Sequence, residues 1–173
     1  MNLLKTFDFK NYNINSPVFI RYAARAIIFK NGKIALVKSH KNQYYKFPGG
    51  GKNKDEDIIS TLIRETKEET GLIIENSSIK ELGYTKEIRN STYKNQIFKQ
   101  YSYYYFAKVK DEITCQQLDD YESFEGFKLE YVDIQTAINA NKIACLEKNS
   151  FLLRENYILS LILKKQLVKK IDR

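Results

Sequence analysis

The order of segments in this 173-residue chain predicts an α+β layered domain: mixed strands, one helix behind a glycine turn, more strands, then helices. Three observations carry that prediction. Residues 23–29 and 34–37 are apolar runs joined by Lys30-Asn31-Gly32-Lys33, and Asn-Gly between such runs signals a hairpin because both residues tolerate positive φ. Pro48 and the triplet Gly49, Gly50, Gly51 precede residues 57–70, where Ile58, Ile59, Leu62 and Ile63 form a helical stripe that Gly71 terminates. Residues 97–109 alternate in the two-residue period of a strand, with Tyr101, Tyr103 and Tyr105 opposite Ser102, Tyr104 and Phe106.

The remaining elements follow in order. Residues 44–47 predict a short strand that delivers the chain to the glycine turn, whose backbone geometry lets a ligand approach closely. Residues 73–75, 80–89 and 127–132 read as strands. Asp133 caps a short helix burying Ile134, Ala137 and Ile138, and Ser150 opens a longer one to about residue 168. The acidic stretch 119–125 reads as a loop. The tyrosines of 97–109 fit a half-buried sheet without any part in base stacking.

Length and composition predict a single domain spanning residues 1–173, with 43% hydrophobic and 29% charged residues and no linker-like or repetitive tract. Residues 1–10 lack the apolar core of a signal peptide, and residues 157–163 are too short to span a membrane, so a cytoplasmic location without a membrane partner is expected. Cys115 and Cys145 read as reduced thiols rather than a disulfide framework, and His40 as a surface residue. The net charge of +8 is compatible with RNA, but Lys is used heavily along the whole chain and a phosphate-rich nucleotide answers the charge equally well. Gly49 to Gly51 lack the following lysine and hydroxyl residue of a P-loop.

Chemistry concentrates in residues 50–72. Glu65, Glu68 and Glu69 are spaced i, i+3 and i+4, so a helix projects all three from one face, where their carboxylates can converge. Converging carboxylates repel unless a cation sits between them, and a hard divalent ion such as Mg2+ suits oxygen donors while keeping positions for water and phosphate. Gly50, Glu56, Arg64, Glu65, Glu68, Glu69, Gly71 and Leu72 fall in register with the Nudix box, which this stretch resembles; Thr66 departs from it, standing where an aliphatic residue is usual.

The resemblance implies a mixed sheet flanked by helices, with a C-terminal helix, and a site held by residues 43–75. It implies an enzyme, a MutT-like pyrophosphohydrolase that cuts a nucleoside diphosphate linked to another group by attack of water at phosphorus, with Mg2+ or Mn2+ as cofactor. Glu65, Glu68 and Glu69 would hold the metal, with the Gly50 carbonyl in its shell and Glu56 in a supporting position. Arg64, four residues before Glu68, would orient a carboxylate. Glu65 is one candidate general base; a glutamate of a later loop serves in some relatives, and Glu122 and Glu125 are the candidates here.

The substrate is left open. Relatives preferring ADP-ribose commonly carry a proline beyond the box, and no proline follows Pro48. Tyr84 and Tyr93 straddle the position where dinucleoside-polyphosphate relatives tend to carry a tyrosine. A nucleoside triphosphate, natural or modified, is the default. A non-catalytic nucleotide sensor and a hydrolase of RNA 5′ ends are the alternatives, and the dimers common among relatives make a homodimer compatible.

Overall fold

The computed structural model describes residues 1–92, 94–144 and 150–164, and its strands form mixed and antiparallel sheets between helices. Strands β1 (Leu3–Asp8), β2 (Val18–Ile27), β7 (Lys80–Asn90) and β8 (Ile97–Phe106) make a four-stranded sheet in the order β1-β7-β8-β2. Its outer pairings, β1 with β7 and β2 with β8, are parallel, and its central pairing is antiparallel. A second, antiparallel sheet joins β3 (Phe29–Lys30), β4 (Lys33–Ser39) and β10 (Phe127–Val132), with β5 (Tyr45–Lys46) also on β4. A third pairs β6 (Leu72–Ile74) with β9 (Val109–Ile113).

The Asn31-Gly32 hairpin forms as predicted, with φ of 52° and 75° at its two central residues and Lys30 opposite Lys33. Helix α1 (Ile58–Thr70) starts where the Asp57 carboxylate accepts the Ile59 and Ser60 N–H groups and stops at Gly71, with φ of 75°. Such an N-cap is worth about 1 kcal/mol. Alternation along β2 divides the interior. Ala24, Ala26 and Ile28 face Leu62 of α1, whereas Ile27 packs with Tyr104 against α3 (Ile134–Ala144) and α4 (Phe151–Lys164). Helices thus cover both sides of the strands.

Four details differ from the sequence reading. β1 is an unforeseen edge strand, and β2 begins earlier than predicted, at Val18. The stretch 97–109 is not one strand: β8 ends at Phe106 and β9 begins at Val109. Residues 119–125 are no loop: α2 (Asp120–Glu125) is closed by a capping box, in which Asp119 accepts the Glu122 N–H and Glu122 accepts the Asp119 N–H. The predicted end of the last helix, together with Tyr93 and Cys145, lies outside the described residues. Among the described residues, no helix is long and apolar enough to cross a membrane.

Candidate active site

The glycine turn is pinned to the free edge of β2. Ala24 N–H donates to the Gly50 carbonyl at 3.0 Å, Ala26 N–H to that of Pro48 at 2.8 Å, and Lys52 N–H to that of Tyr22 at 2.8 Å. The carboxylate face of α1 packs against this turn. A Cβ on Gly50 would stand 2.0 Å from Glu65 Oε2, so any larger residue would push the Glu65 carboxylate out of its present position.

Carboxylate oxygens of Glu65, Glu69 and Glu122 lie within 4.8 Å of one another. Glu69 is buried; it accepts the Gly49 N–H at 2.9 Å and pairs with Lys46 Nζ at 2.5 Å. Glu122 arrives from α2, which is delivered by residues 114–117 running past the end of α1: Thr114 N–H bonds the Gly71 carbonyl and Gln117 N–H bonds that of Glu68, each at 2.8 Å. Burial, reinforced by the Glu69 charge, pushes the Glu122 carboxyl up to about 7. Burial also raises Glu65, against the opposing pull of Arg64.

Arg64 gathers the other carboxylates. Its Nε and Nη2 bond the two Glu56 oxygens at 2.8 Å each, and its Nη1 bonds Glu65 at 2.7 Å and Glu68 at 2.9 Å. The bidentate arginine contact pulls the Glu56 carboxyl down to about 2. Glu68 therefore turns toward Arg64 and is not part of the converging trio, although it lies on the same helix flank. Glu125, at the far end of α2, is buried and accepts Ser39 Oγ at 2.7 Å, Asn42 Nδ2 at 2.8 and 2.9 Å, and Tyr44 OH at 3.3 Å. It ties α2 to the loop between β4 and β5 and stands apart from the trio.

Beside the trio opens a cavity of about 220 Å³. Its floor is one face of the first sheet, where Arg21 stands opposite Gln100 and Gln100 opposite Glu87, with Phe98 paired to Arg89 one step along. Its roof comes from Tyr44 and Lys46 on one side and from Phe151, Arg154 and Glu155 of α4 on the other. Arg154 bonds Glu87 at 2.9 Å and Glu155 at 3.1 Å, and Glu155 also accepts the Phe47 N–H at 2.8 Å. None of these cavity residues was picked out from the sequence. The one available signal was charge inside an apolar strand, Arg25 within Ala23-Ala24-Arg25-Ala26-Ile27, since arginine is rarely buried without a reason.

The tyrosines of the sheet lie elsewhere. Tyr22, Tyr84, Tyr101 and Tyr103 pack ring against ring on the opposite face of the sheet, with centroids 5.5 to 6.5 Å apart. Tyr104 is fully buried in the core. His40 is on the surface, 3.7 Å from Glu130.

The trio fits a hard divalent ion. Its donors are all carboxylate oxygens, two of them hold protons more tightly than usual in the metal-free protein, and the adjoining Gly50 carbonyl keeps a second lone pair beside its bond to Ala24.

Comparison with known proteins agrees with this geometry. Residues 20–149 match the family model of the NUDIX domain. Among solved structures, the fold is similar to a NUDIX hydrolase from Nitrosomonas europaea, at a TM-score of 0.56 and 18% identity, covering 82% of this chain and 90% of the other. It is also similar to the MutT NUDIX hydrolase from Burkholderia pseudomallei, at a TM-score of 0.52 and 19% identity, covering 68% and 85%. No curated protein matches the sequence. With the box in register, the helix packed on its glycine turn and most of its length matched by the family model, the chain belongs to the Nudix hydrolase family, as an enzyme of the pyrophosphohydrolase type.

Proposed function

We propose that the enzyme hydrolyses a phosphoric anhydride bond in a nucleoside diphosphate linked to another group, with a nucleoside triphosphate, natural or modified, as the default substrate. The observation that carries the reading is the trio Glu65, Glu69 and Glu122 beside a cavity walled by arginine and lysine. Mg2+, or Mn2+ in its place, would be held by these three carboxylates, with the Gly50 carbonyl adjoining and Glu68 and Glu56 in support. When bound, such an ion neutralises phosphate oxygens and lowers the pKa of a coordinated water.

The chain's own residues then divide the work. Arg64 fixes Glu65 and Glu68 in orientation and, through Glu56, braces the turn, since the Glu56 carboxylate also accepts the Asn53 N–H at 3.3 Å and Thr61 Oγ1 at 2.8 Å. Lys46 and the Gly49 N–H hold Glu69 in place. Glu122 is the better placed of the two α2 glutamates to take a proton from attacking water. It belongs to the trio, whereas the Glu125 oxygens are committed to Ser39, Asn42 and Tyr44.

The test is a panel of canonical and oxidised nucleoside triphosphates, nucleotide sugars, ADP-ribose and dinucleoside polyphosphates, assayed with Mg2+ and with Mn2+. At least one should be cleaved in a metal-dependent reaction, and Glu65→Gln should lower that rate a thousandfold or so, on the order of the loss of a central catalytic group. A wild-type protein inert across the whole panel refutes the reading.

A further inference from the structure

We infer that Arg21 and Arg25 form a second anion subsite, separate from the carboxylate trio, that holds part of the substrate's phosphate chain without help from a metal. This rests on the reading of the cavity as the substrate site.

Every other cation of the cavity has a carboxylate: Lys46 has Glu69, Arg89 has Glu87, and Arg154 has both Glu87 and Glu155. Arg21 and Arg25 have none within ion-pair distance among the described residues. Arg21 Nη1 donates to Gln100 Oε1 at 2.8 Å, and Gln100 is in turn anchored on Ser102 Oγ at 2.9 Å. Arg25 is only 6% exposed, gives Nη1 to the Gly49 carbonyl, and leaves its Nε buried with no partner at all.

A guanidinium drawn out of water with only neutral hydrogen-bond partners is expensive, because the Glu65 and Glu87 charges act on this pair only from beyond ion-pair distance. Two on one strand face, four residues apart, also repel each other, and Arg21 responds: burial first, then the charges of Arg25 and Arg154, bring its pKa down to about 10 against the opposing pull of Glu65 and Glu87. An anion with about two negative charges removes both costs. The two arginines flank the glycine turn. Arg25 reaches Gly49, whose N–H holds Glu69, and a Cβ on Gly51 would stand 2.7 Å from Arg21 Nη2. A phosphate chain bound at the trio therefore needs only to continue past the turn to meet them. A neutral base in this place would leave both arginines without an ion pair. Arginine suits the task through its fixed fork of donors.

The experiment is calorimetric titration of the full chain with imidodiphosphate, a non-hydrolysable diphosphate, in EDTA. The wild type should bind, Arg21→Gln and Arg25→Gln should each weaken binding at least tenfold, and Glu65→Gln should bind as well as wild type or better. Thermal melts verify folding. Arg21, only half-buried, is the variant on which the result turns should Arg25→Gln fail to fold. No wild-type binding at millimolar ligand, or unchanged affinity in Arg21→Gln, overturns the subsite. The two readings fail separately. A protein that binds imidodiphosphate through Arg21 yet cleaves nothing in the panel keeps the subsite and loses the hydrolase assignment. Nucleotide turnover with an unaltered KM in Arg21→Gln does the reverse.

Discussion

One arginine of this site bonds three carboxylates, and two others form no ion pair among the described residues. Arg64, on α1, bonds Glu56, Glu65 and Glu68, while Arg21 and Arg25, on β2, meet only an amide and a backbone carbonyl. The contrast separates two kinds of work. A side chain saturated by the protein's own charges is fixed in place and can orient its neighbours. One left unsatisfied carries free energy that only a ligand recovers, and this is how binding energy is directed at one part of a substrate.

The largest expected way to break the contrast is to remove its saturated member. Arg64→Ala should lower kcat 10- to 100-fold, the range for losing a group that orients metal ligands, and should leave imidodiphosphate binding in EDTA unchanged. Steady-state kinetics alongside calorimetry checks both halves, and an equal loss of binding would merge the two regions into one. A smaller effect separates the two glutamates of α2. Glu125→Gln should cost about 1–3 kcal/mol in stability by unbalancing a buried hydrogen-bonded group, with kcat nearly unaltered once the protein is folded, whereas Glu122→Gln should lower kcat and spare the melting temperature. Denaturant unfolding and kinetics on the same samples decide this.

The smallest effect is electrostatic. Glu56 holds a folded-state pKa of about 2 against an ordinary 4.5, so its contribution to stability is complete above the ordinary value and is lost as pH falls from there toward 2. Glu56→Gln should flatten that part of the acid-unfolding profile of the metal-free protein. A profile identical to wild type would mean that the Arg64–Glu56 pair adds nothing to stability.

The two regions also differ in how readily the sequence reveals them. The Arg64 side is local: helix periodicity alone puts residues 64, 65, 68 and 69 on neighbouring positions, Asp57 and Gly71 mark the ends, and the turn is spelled by consecutive glycines. The sheet and the helices on both its sides were legible for the same reason, from runs and punctuation a few residues long. The cavity is assembled from β2, β8, the β5 region and α4, whose meeting depends on register across some eighty residues of chain, as when Arg21 comes opposite Gln100. No local period encodes that. The reading of residues 119–125 as a loop is a different case, because Asp119 followed by Glu122 three residues later is itself the signature of a helix start. Thr66 shows the opposite limit. The departure from the box was visible, but only packing shows that its hydroxyl is buried without a hydrogen-bond partner.

Glu155 fastens α4 to the backbone just ahead of the glycine turn, and with Phe151 and Arg154 it roofs the cavity, yet all three lie beyond the stretch that matches the family model. On the proposed reading, the cavity wall is therefore shared between the matched stretch and a helix beyond it. On that reading, substitutions in the final helix would reshape part of the wall while the box stays untouched, and two chains with the same box could differ in what they admit. A graft of that helix between them is a route to moving preference without rebuilding the chemistry.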